Sequence, residues 1–273
     1  MQRSDLMYIV LYILTFISTW WVGGPWYAIT LMAILTAHEL GHFLMSSKYG
    51  VPRTLPLFLP LPLPPFGTLG AIIRMKGTIT DRKALFDIGA AGPLAGLAIA
   101  IPAIILGLRL SQIVVLSQLQ KPVTTLGDSL MFTILERLTL GKLPPGYDVV
   151  LHPVAFAGWV GLFVTALNLL PIGQLDGGHI LFALFGLRGE IISKLALLIL
   201  AAISIFYNPG WLLLVVLLLL FGIKHPPPLD YQTPLDPVRR WLGIFILIIF
   251  VLSFTPVPFP EYVETLKGGL SSF

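Results

Sequence analysis

The chain has 273 residues, of which 56% are hydrophobic and only 11% charged, and its mean hydropathy is +0.90. Soluble domains carry roughly 25% charged residues, so this composition excludes an ordinary soluble domain and indicates an integral membrane protein. The net charge of +4 is too small to indicate a nucleic-acid partner. The absence of cysteine excludes disulfides and thiolate metal sites, which leaves histidine and carboxylate as the available metal ligands.

The apolar segments predict an all-α polytopic membrane protein with six to seven transmembrane helices in one domain over residues 1–273. A small re-entrant β-hairpin or strand is also expected, near the polar residues of the second span. The first apolar run is long for a signal peptide and is followed by a Gly-Gly-Pro turn, so we expect it to be retained as a span. The predicted spans cover residues 6–22, 25–48, 85–108, 152–170, 191–207, 211–223 and 241–254.

The second span contains a polar cluster in an otherwise apolar helix, His38-Glu39-Leu40-Gly41-His42. Residues four apart lie on one face of a helix, so His38 and His42 can bind one divalent metal ion. Glu39 lies about 100° around the helix, where its carboxylate would be beside a water molecule on that ion. This is the H-E-x-x-H pattern of zinc proteases. A buried polar patch satisfied by neighbouring helices is the alternative interpretation.

The segment after the second span is too rich in proline for a helix, with six prolines between Pro52 and Pro65. We expect it to enter the membrane interface as a re-entrant piece. The following stretch, Phe66–Met75, is predicted to form a short strand or hairpin. Such a strand could bind an extended substrate by backbone pairing through Gly67, Thr68, Leu69, Gly70 and Ala71. A hairpin on the membrane surface with no such role is equally consistent with the sequence.

The third span carries small residues at Gly89, Gly92, Ala95 and Gly96, which favour close helix packing, and we interpret them as scaffold. The loop from residue 109 to 151 contains one amphipathic segment, Ser129–Leu140. It is predicted to form an interfacial helix.

The fourth span ends in a break at Pro171, where the glycines of Gly173–His179 permit sharp turns. Asp176 lies in this break and is the preferred third metal ligand, because an acidic residue at membrane depth is a functional candidate. Its competitors Asp81, Asp87 and Glu190 lie near predicted membrane boundaries. Asn168 could donate to a developing oxyanion or to the substrate backbone, or could simply cap the helix break.

Three further histidines lie outside the predicted ligand set. His179 is expected to lie beside the metal ligands or to be structural, because three protein ligands suffice for a catalytic zinc ion. His152 and His225 lie beside prolines at predicted boundaries, where structural roles are expected.

Basic residues predict the orientation of the spans. With the N-terminus inside, twelve Lys and Arg residues lie in inner segments and five in outer segments, a clear positive-inside bias. The second and fourth spans then both run inward, which brings His38, His42 and Asp176 to similar depth. We therefore expect a multi-pass protein of the bacterial cytoplasmic membrane, with the N-terminus and the active-site end in the cytoplasm.

Several motifs together resemble the site-2 protease family of intramembrane zinc metalloproteases, peptidase family M50, in its compact bacterial and plastid branch without PDZ or CBS domains. They extend from about Leu35 to the final span. These motifs are His38–His42, Gly67–Ala71, Ala91–Pro93, His152–Pro153 with Ala157–Trp159, Asn168–Pro171 and Leu175–Gly178, together with the Pro-rich connector before the last span.

The resemblance implies an endopeptidase with one Zn²⁺ ion bound by His38, His42 and Asp176, with Glu39 as base and Asn168 assisting. It also implies cleavage within the transmembrane helix of a single-span membrane protein, held by the strand at Gly67–Ala71. A metal-ion transporter and a non-catalytic scaffold that binds client helices are the two alternatives. A transporter should show polar ligands along a whole crossing, whereas the predicted ligands here gather at one depth.

Overall fold

The computed structural model describes residues 3–115, 117, 125–221 and 226–260. This part of the chain forms eight α-helices and two separate antiparallel sheets of two strands each. The helices are α1 (Arg3–Lys48), α2 (Arg82–Arg109), α3 (Leu130–Leu140), α4 (Pro153–Asn168), α5 (Asp176–Phe185), α6 (Gly189–Phe206), α7 (Leu212–Phe221) and α8 (Pro237–Ser253). The strands are β1 (Leu57–Pro60), β2 (Thr68–Ile72), β3 (Gln112–Val115) and β4 (Tyr147–Val150).

The long helix α1 consists of two arms that meet at Gly24, where the backbone leaves helical geometry with φ 81° and ψ 177°. The arms fold back on each other, because the Tyr12 and Thr36 hydroxyl oxygens, equally far from Gly24 along the chain, lie only 3.4 Å apart. Glycine adopts this positive φ without a steric penalty, and Pro25 fits the first turn of the second arm. The predicted turn between the first two spans is therefore confirmed.

Helix α2 lies at the centre of the bundle and packs against the second arm of α1, α4 and α5. The carboxylate of Asp81 accepts the amide of Ala84 at 2.8 Å and caps the start of α2. Large side chains that are almost fully buried fill the space between these helices, among them Leu31, Ile104, Trp159 and Leu162. The core therefore surrounds α2, the helix whose small residues predicted a scaffold role.

Among the described residues, three helical segments are long and apolar enough to cross a membrane: Leu6–Lys48, Arg82–Arg109 and Asp176–Phe206. Two shorter apolar helical segments are Pro153–Asn168 and Pro209–Leu220. The protein is therefore a mostly helical membrane protein with small accessory sheets.

The helices differ in extent from several of the predicted spans. The fourth span was predicted over residues 152–170, but α4 ends at Asn168. The last span was predicted to begin at residue 241, but α8 begins at Pro237, because Asp236 caps it by accepting the amide of Arg239 at 3.1 Å. Residues 222 and 223 of the predicted sixth span, and His225, lie outside the described residues.

The Pro-rich segment contains a strand that the sequence analysis did not predict. β1 pairs with β2 with Leu57 opposite Ile72 and Phe58 opposite Ala71, and the register shifts before Pro60. The hairpin is fixed to α1 by the hydroxyls of Ser18 and Tyr27. Ser18 donates to the Gly67 carbonyl at 2.5 Å and Tyr27 donates to the Phe66 carbonyl at 2.8 Å. Prolines are tolerated here because a two-stranded sheet has free edges.

The loop between α2 and α4 contains the predicted amphipathic helix, which is confirmed as α3 with Ser129 as its cap. The same loop also contains the hairpin of β3 and β4, which was not predicted, with Gln112 opposite Val150 and Val115 opposite Tyr147. The C-terminal end of α2 and the N-terminal end of α4 are therefore joined by a short sheet as well as by the chain.

Candidate metal centre

The structure brings the three predicted ligands together. His38 and His42 lie on one face of α1, and their Nε2 atoms are 3.2 Å apart. Oδ2 of Asp176 lies 3.3 Å from Nε2 of His38 and 3.2 Å from Nε2 of His42. His38 is only 4% exposed. Within the described part of the chain, this is the group of His, Asp and Glu residues arranged to hold a metal ion.

The spacing of the three ligand atoms fits a tetrahedral zinc ion. Zinc bonds of about 2.0–2.1 Å at tetrahedral angles place two ligand atoms about 3.3–3.4 Å apart. The observed separations of 3.2, 3.3 and 3.2 Å are close to this edge length. The three atoms form one face of a tetrahedron and leave the fourth corner for water or substrate, as in a catalytic zinc site.

A hydrogen bond from His42 determines which ring nitrogen faces the site. Its Nδ1 lies 2.8 Å from the carbonyl oxygen of Ile88 on α2, and a carbonyl can only accept. Nδ1 of His42 therefore carries a proton, and in the neutral ring Nε2 presents its lone pair to the carboxylate of Asp176. With Nδ1 occupied by this hydrogen bond, Nε2 is the ring nitrogen available to a metal ion between His42 and Asp176.

The break after α4 positions Asp176. Helix α4 ends at Asn168, the chain turns through Gly173 with φ 57°, and α5 begins at Asp176 itself. A Cβ atom at Gly177 would overlap the carbonyl oxygen of Leu169, so the new helix packs directly on the backbone of the break. Asp176 was predicted to lie in an irregular break, whereas in the structure it lies in the first turn of α5, a helix that was not predicted.

The small residues of α2 form the wall of the site opposite the two histidines. A Cβ atom at Gly92 would overlap the ring of His42, and one at Gly96 would lie 3.2 Å from Nδ1 of His38. A Cβ at Gly41 would overlap the carbonyl oxygen of Ala91, so α1 and α2 approach closely at this level. The small residues predicted close helix packing, but no feature of the sequence indicated that they face the metal ligands.

Gly92→Ala is therefore expected to weaken zinc retention by at least about tenfold, because the added methyl group displaces the ring of His42 from its ligand geometry. The measurement is zinc per protein after dialysis against a weak chelator. Ala98→Val is the matched control, since it adds bulk to an exposed position of the same helix. Equal zinc content in Gly92→Ala and the wild type would contradict the packing argument.

The two predicted catalytic residues, Glu39 and Asn168, lie beside the ligands. Glu39 is 6% exposed and follows His38 on α1. Nδ2 of Asn168, the last residue of α4, lies 3.2 Å from Nε2 of His38. An amide donor and a carboxylate therefore flank the group of ligand atoms inside a largely apolar bundle.

The predicted substrate strand, Gly67–Ala71, lies largely within β2. Leu69 is 68% exposed, and within the described residues only β1 pairs with β2. Tyr12 links this hairpin to the helix that carries the histidines: its ring is 4.9 Å from that of Phe58 on β1, and its hydroxyl is 3.4 Å from that of Thr36. Tyr12 of the first arm therefore joins the hairpin to the second arm of α1, in addition to the direct hydrogen bond from Tyr27 on that arm.

The competing ligands have other partners or positions. Asp81 caps α2, and Asp87 binds Arg239. His152 caps α4, as expected of a structural histidine. His179 is buried on α5 against Gly89 and is not a member of the three-residue group.

Comparison with known proteins matches residues 26–207 to the model of peptidase family M50. The chain belongs to peptidase family M50. Similar relatives are named probable zinc metalloprotease EGY1, chloroplastic, in Oryza sativa subsp. japonica (34% identical) and in Arabidopsis thaliana (33%). A third, EGY2 of Oryza sativa subsp. indica, is 31% identical. The alignments cover 87–88% of this M50 chain but only 42–44% of each relative, so the chain spans less than half the length of these proteins.

Proposed function

We propose that this chain is a zinc-dependent intramembrane endopeptidase in which His38, His42 and Asp176 bind the metal ion. The convergence of the three ligand atoms at 3.2–3.3 Å carries the proposal. Membership of a peptidase family and the names of the similar relatives support it. The set of two neutral imidazoles and one carboxylate is a donor set that zinc accepts in catalytic sites.

The chemistry divides between the metal ion and the side chains. Zinc, when bound, supplies a Lewis acid that polarises a peptide carbonyl and makes a water molecule more acidic. Glu39 accepts a proton as the oxygen of that water bonds to the carbonyl carbon, and it delivers the proton to the amine nitrogen as the C–N bond breaks. The amide of Asn168 donates a hydrogen bond to the oxygen on which negative charge develops.

The substrate in this proposal is the transmembrane helix of a single-span membrane protein. Support comes from the location of the site among apolar helices, where a soluble peptide would have to leave water. A helix satisfies its own backbone hydrogen bonds, so it must unwind locally before its peptide bond can reach the ligands. β2 offers a free strand edge to pair with that unwound stretch, through residues 67–71.

The arrangement in the membrane is also part of the proposal. We place the chain as one domain over residues 1–273 with six to seven spans, and with the N-terminus and the active-site end in the cytoplasm of a bacterium. The distribution of lysine and arginine supports this orientation. Similar relatives are named chloroplastic, and cell fractionation with protease protection of tagged termini tests both compartment and orientation.

The test is cleavage of a panel of single-span substrates by purified protein in proteoliposomes. We expect a cut substrate with the wild type and full-length substrate after zinc is removed by a chelator, because the proposed reaction needs the metal ion that His38, His42 and Asp176 would hold. Restoration of cleavage by zinc is the control for damage by the chelator. Zinc binding without cleavage of any substrate, together with zinc flux into the vesicles, would favour a transporter instead.

A further inference from the structure

A second polar network lies outside the metal centre, where α2 and α8 meet the end of α1. Arg239 in the first turn of α8 donates from Nε to Oδ1 of Asp87 at 2.8 Å and from Nη2 to Oδ2 at 2.7 Å. Tyr49, directly after α1, donates its hydroxyl to the same Oδ2 at 2.5 Å. Asp236 accepts from Nη1 of Arg239 at 2.6 Å. One guanidinium and one carboxylate therefore join three helices.

The geometry of this network makes it rigid. Two parallel N–H···O bonds between a guanidinium and a carboxylate are stronger and more directional than a single ion-pair contact. The carboxylate of Asp236 accepts two hydrogen bonds from Arg239. One comes from the guanidinium and the other from the backbone amide of Arg239, at 3.1 Å. Burial and the hydrogen bond to Asp87 raise the pKa of Tyr49 to about 12, so its hydroxyl remains a donor at physiological pH.

The network is adjacent to the hydrogen bond that orients a metal ligand. Asp87 is followed directly by Ile88, whose carbonyl accepts the Nδ1 proton of His42 at 2.8 Å. Tyr49 follows α1, the helix that carries His42. Asp87 therefore fixes the turn of α2 that contains the acceptor, the carbonyl of Ile88. Through Tyr49 it also fixes the end of α1, the helix that contains the donor, His42. Any shift of one relative to the other changes the direction of the Nε2 lone pair of His42.

We propose that Arg239 is a positioning residue, which through Asp87 fixes the carbonyl of Ile88 and thereby the orientation of His42 toward the metal ion. The inference rests on the proposed zinc site and concerns a residue some 150 positions away in sequence from the carboxylate that it binds. Residues that orient metal ligands typically change metal affinity by about 10–100-fold when they are removed. The expected readout is therefore zinc retention rather than activity alone.

The test measures the rate at which bound zinc transfers to an excess of chelator, at a temperature where circular dichroism shows each variant folded. We expect Arg239→Gln and Asp87→Asn to release zinc about tenfold faster than the wild type, at the low end of the usual range. The double variant should release zinc no faster than the worse single variant, because both act through one pair. Arg240→Gln is the matched control, since Arg240 is the exposed neighbour on the same helix.

A milder variant and a spectrum separate positioning from general stability. Tyr49→Phe removes one hydroxyl, leaves the ion pair in place and should release zinc about two- to threefold faster. With Co²⁺ in place of zinc, the visible absorption of Arg239→Gln should differ from that of the wild type and of Arg240→Gln. Unchanged zinc release and an unchanged Co²⁺ spectrum, with only a lower melting temperature, would overturn the inference.

The inference and the proposed function can fail separately. If the wild type binds zinc but cleaves no substrate, the proposed function falls, and the zinc-release rates still decide the role of Arg239. If the wild type cleaves substrate but zinc release is equal in all variants, the proposed function stands and the inference falls. A wild type that binds no zinc overturns both.

Discussion

Glu39→Gln is expected to lower the rate of substrate cleavage by about 10²–10⁴-fold, the range that a positioned general base contributes. Glutamine has nearly the shape of glutamate but cannot accept the proton of the attacking water. Glu39 is not one of the three converging ligands, so the variant should keep its zinc. The measurement is the cleavage rate in proteoliposomes together with zinc per protein.

The matched control for this prediction is Glu136→Gln, the same change on α3, a helix that contributes nothing to the ligand group. It should cleave at the wild-type rate. If Glu39→Gln retains both zinc and full activity, Glu39 is not the base and the assignment of its role is wrong. If it loses zinc as well, its carboxylate contributes to metal binding and the separation of the two roles fails.

Asp176→Asn is expected to abolish both stable zinc binding and cleavage. The amide oxygen of asparagine is a much weaker zinc ligand than a carboxylate, and two histidines on one helix rarely hold a catalytic zinc ion alone. A metal ion that binds only the folded state at 100 times its Kd stabilises a protein by about 2.7 kcal/mol. Added zinc should therefore raise the melting temperature of the wild type but not that of Asp176→Asn.

Asp148→Asn is the control, because Asp148 is an exposed carboxylate on β4 and the change in charge is the same. It should retain zinc, activity and the rise in melting temperature. An Asp176→Asn protein that binds zinc as tightly as the wild type would show that the carboxylate is not a ligand. The convergence of Oδ2 on the two imidazoles would then have to be explained by hydrogen bonding alone.

The sequence predicted most directly those parts of the site whose residues lie close together in the chain. His38 and His42 share a helix, so their common face follows from helical periodicity alone. Asp176 lies far away in sequence, but the break at Pro171 and the depth predicted from the basic residues pointed to it. In the structure, Oδ2 of Asp176 lies 3.2–3.3 Å from Nε2 of both histidines.

The parts that could not be predicted depend on tertiary contacts. Gly92 was recognised as a small residue, but its contact with the ring of His42 depends on how α1 crosses α2, which the sequence of α2 does not determine. β1 was missed because prolines argue against a strand unless it lies at an edge. Arg239 and Asp87 form a bidentate pair in the structure. In the sequence they are two distant charges near predicted membrane boundaries, and nothing there indicates that they meet.

The most direct test of the account is the position of the cut in a single-span substrate, determined by mass spectrometry of both fragments after incubation in proteoliposomes. We expect the zinc-loaded wild type, but not Glu39→Gln, to cut a bond within the substrate's apolar span. Cleavage confined to residues in the aqueous flank, or equal cleavage by both proteins, would contradict a zinc site that acts inside the membrane through Glu39.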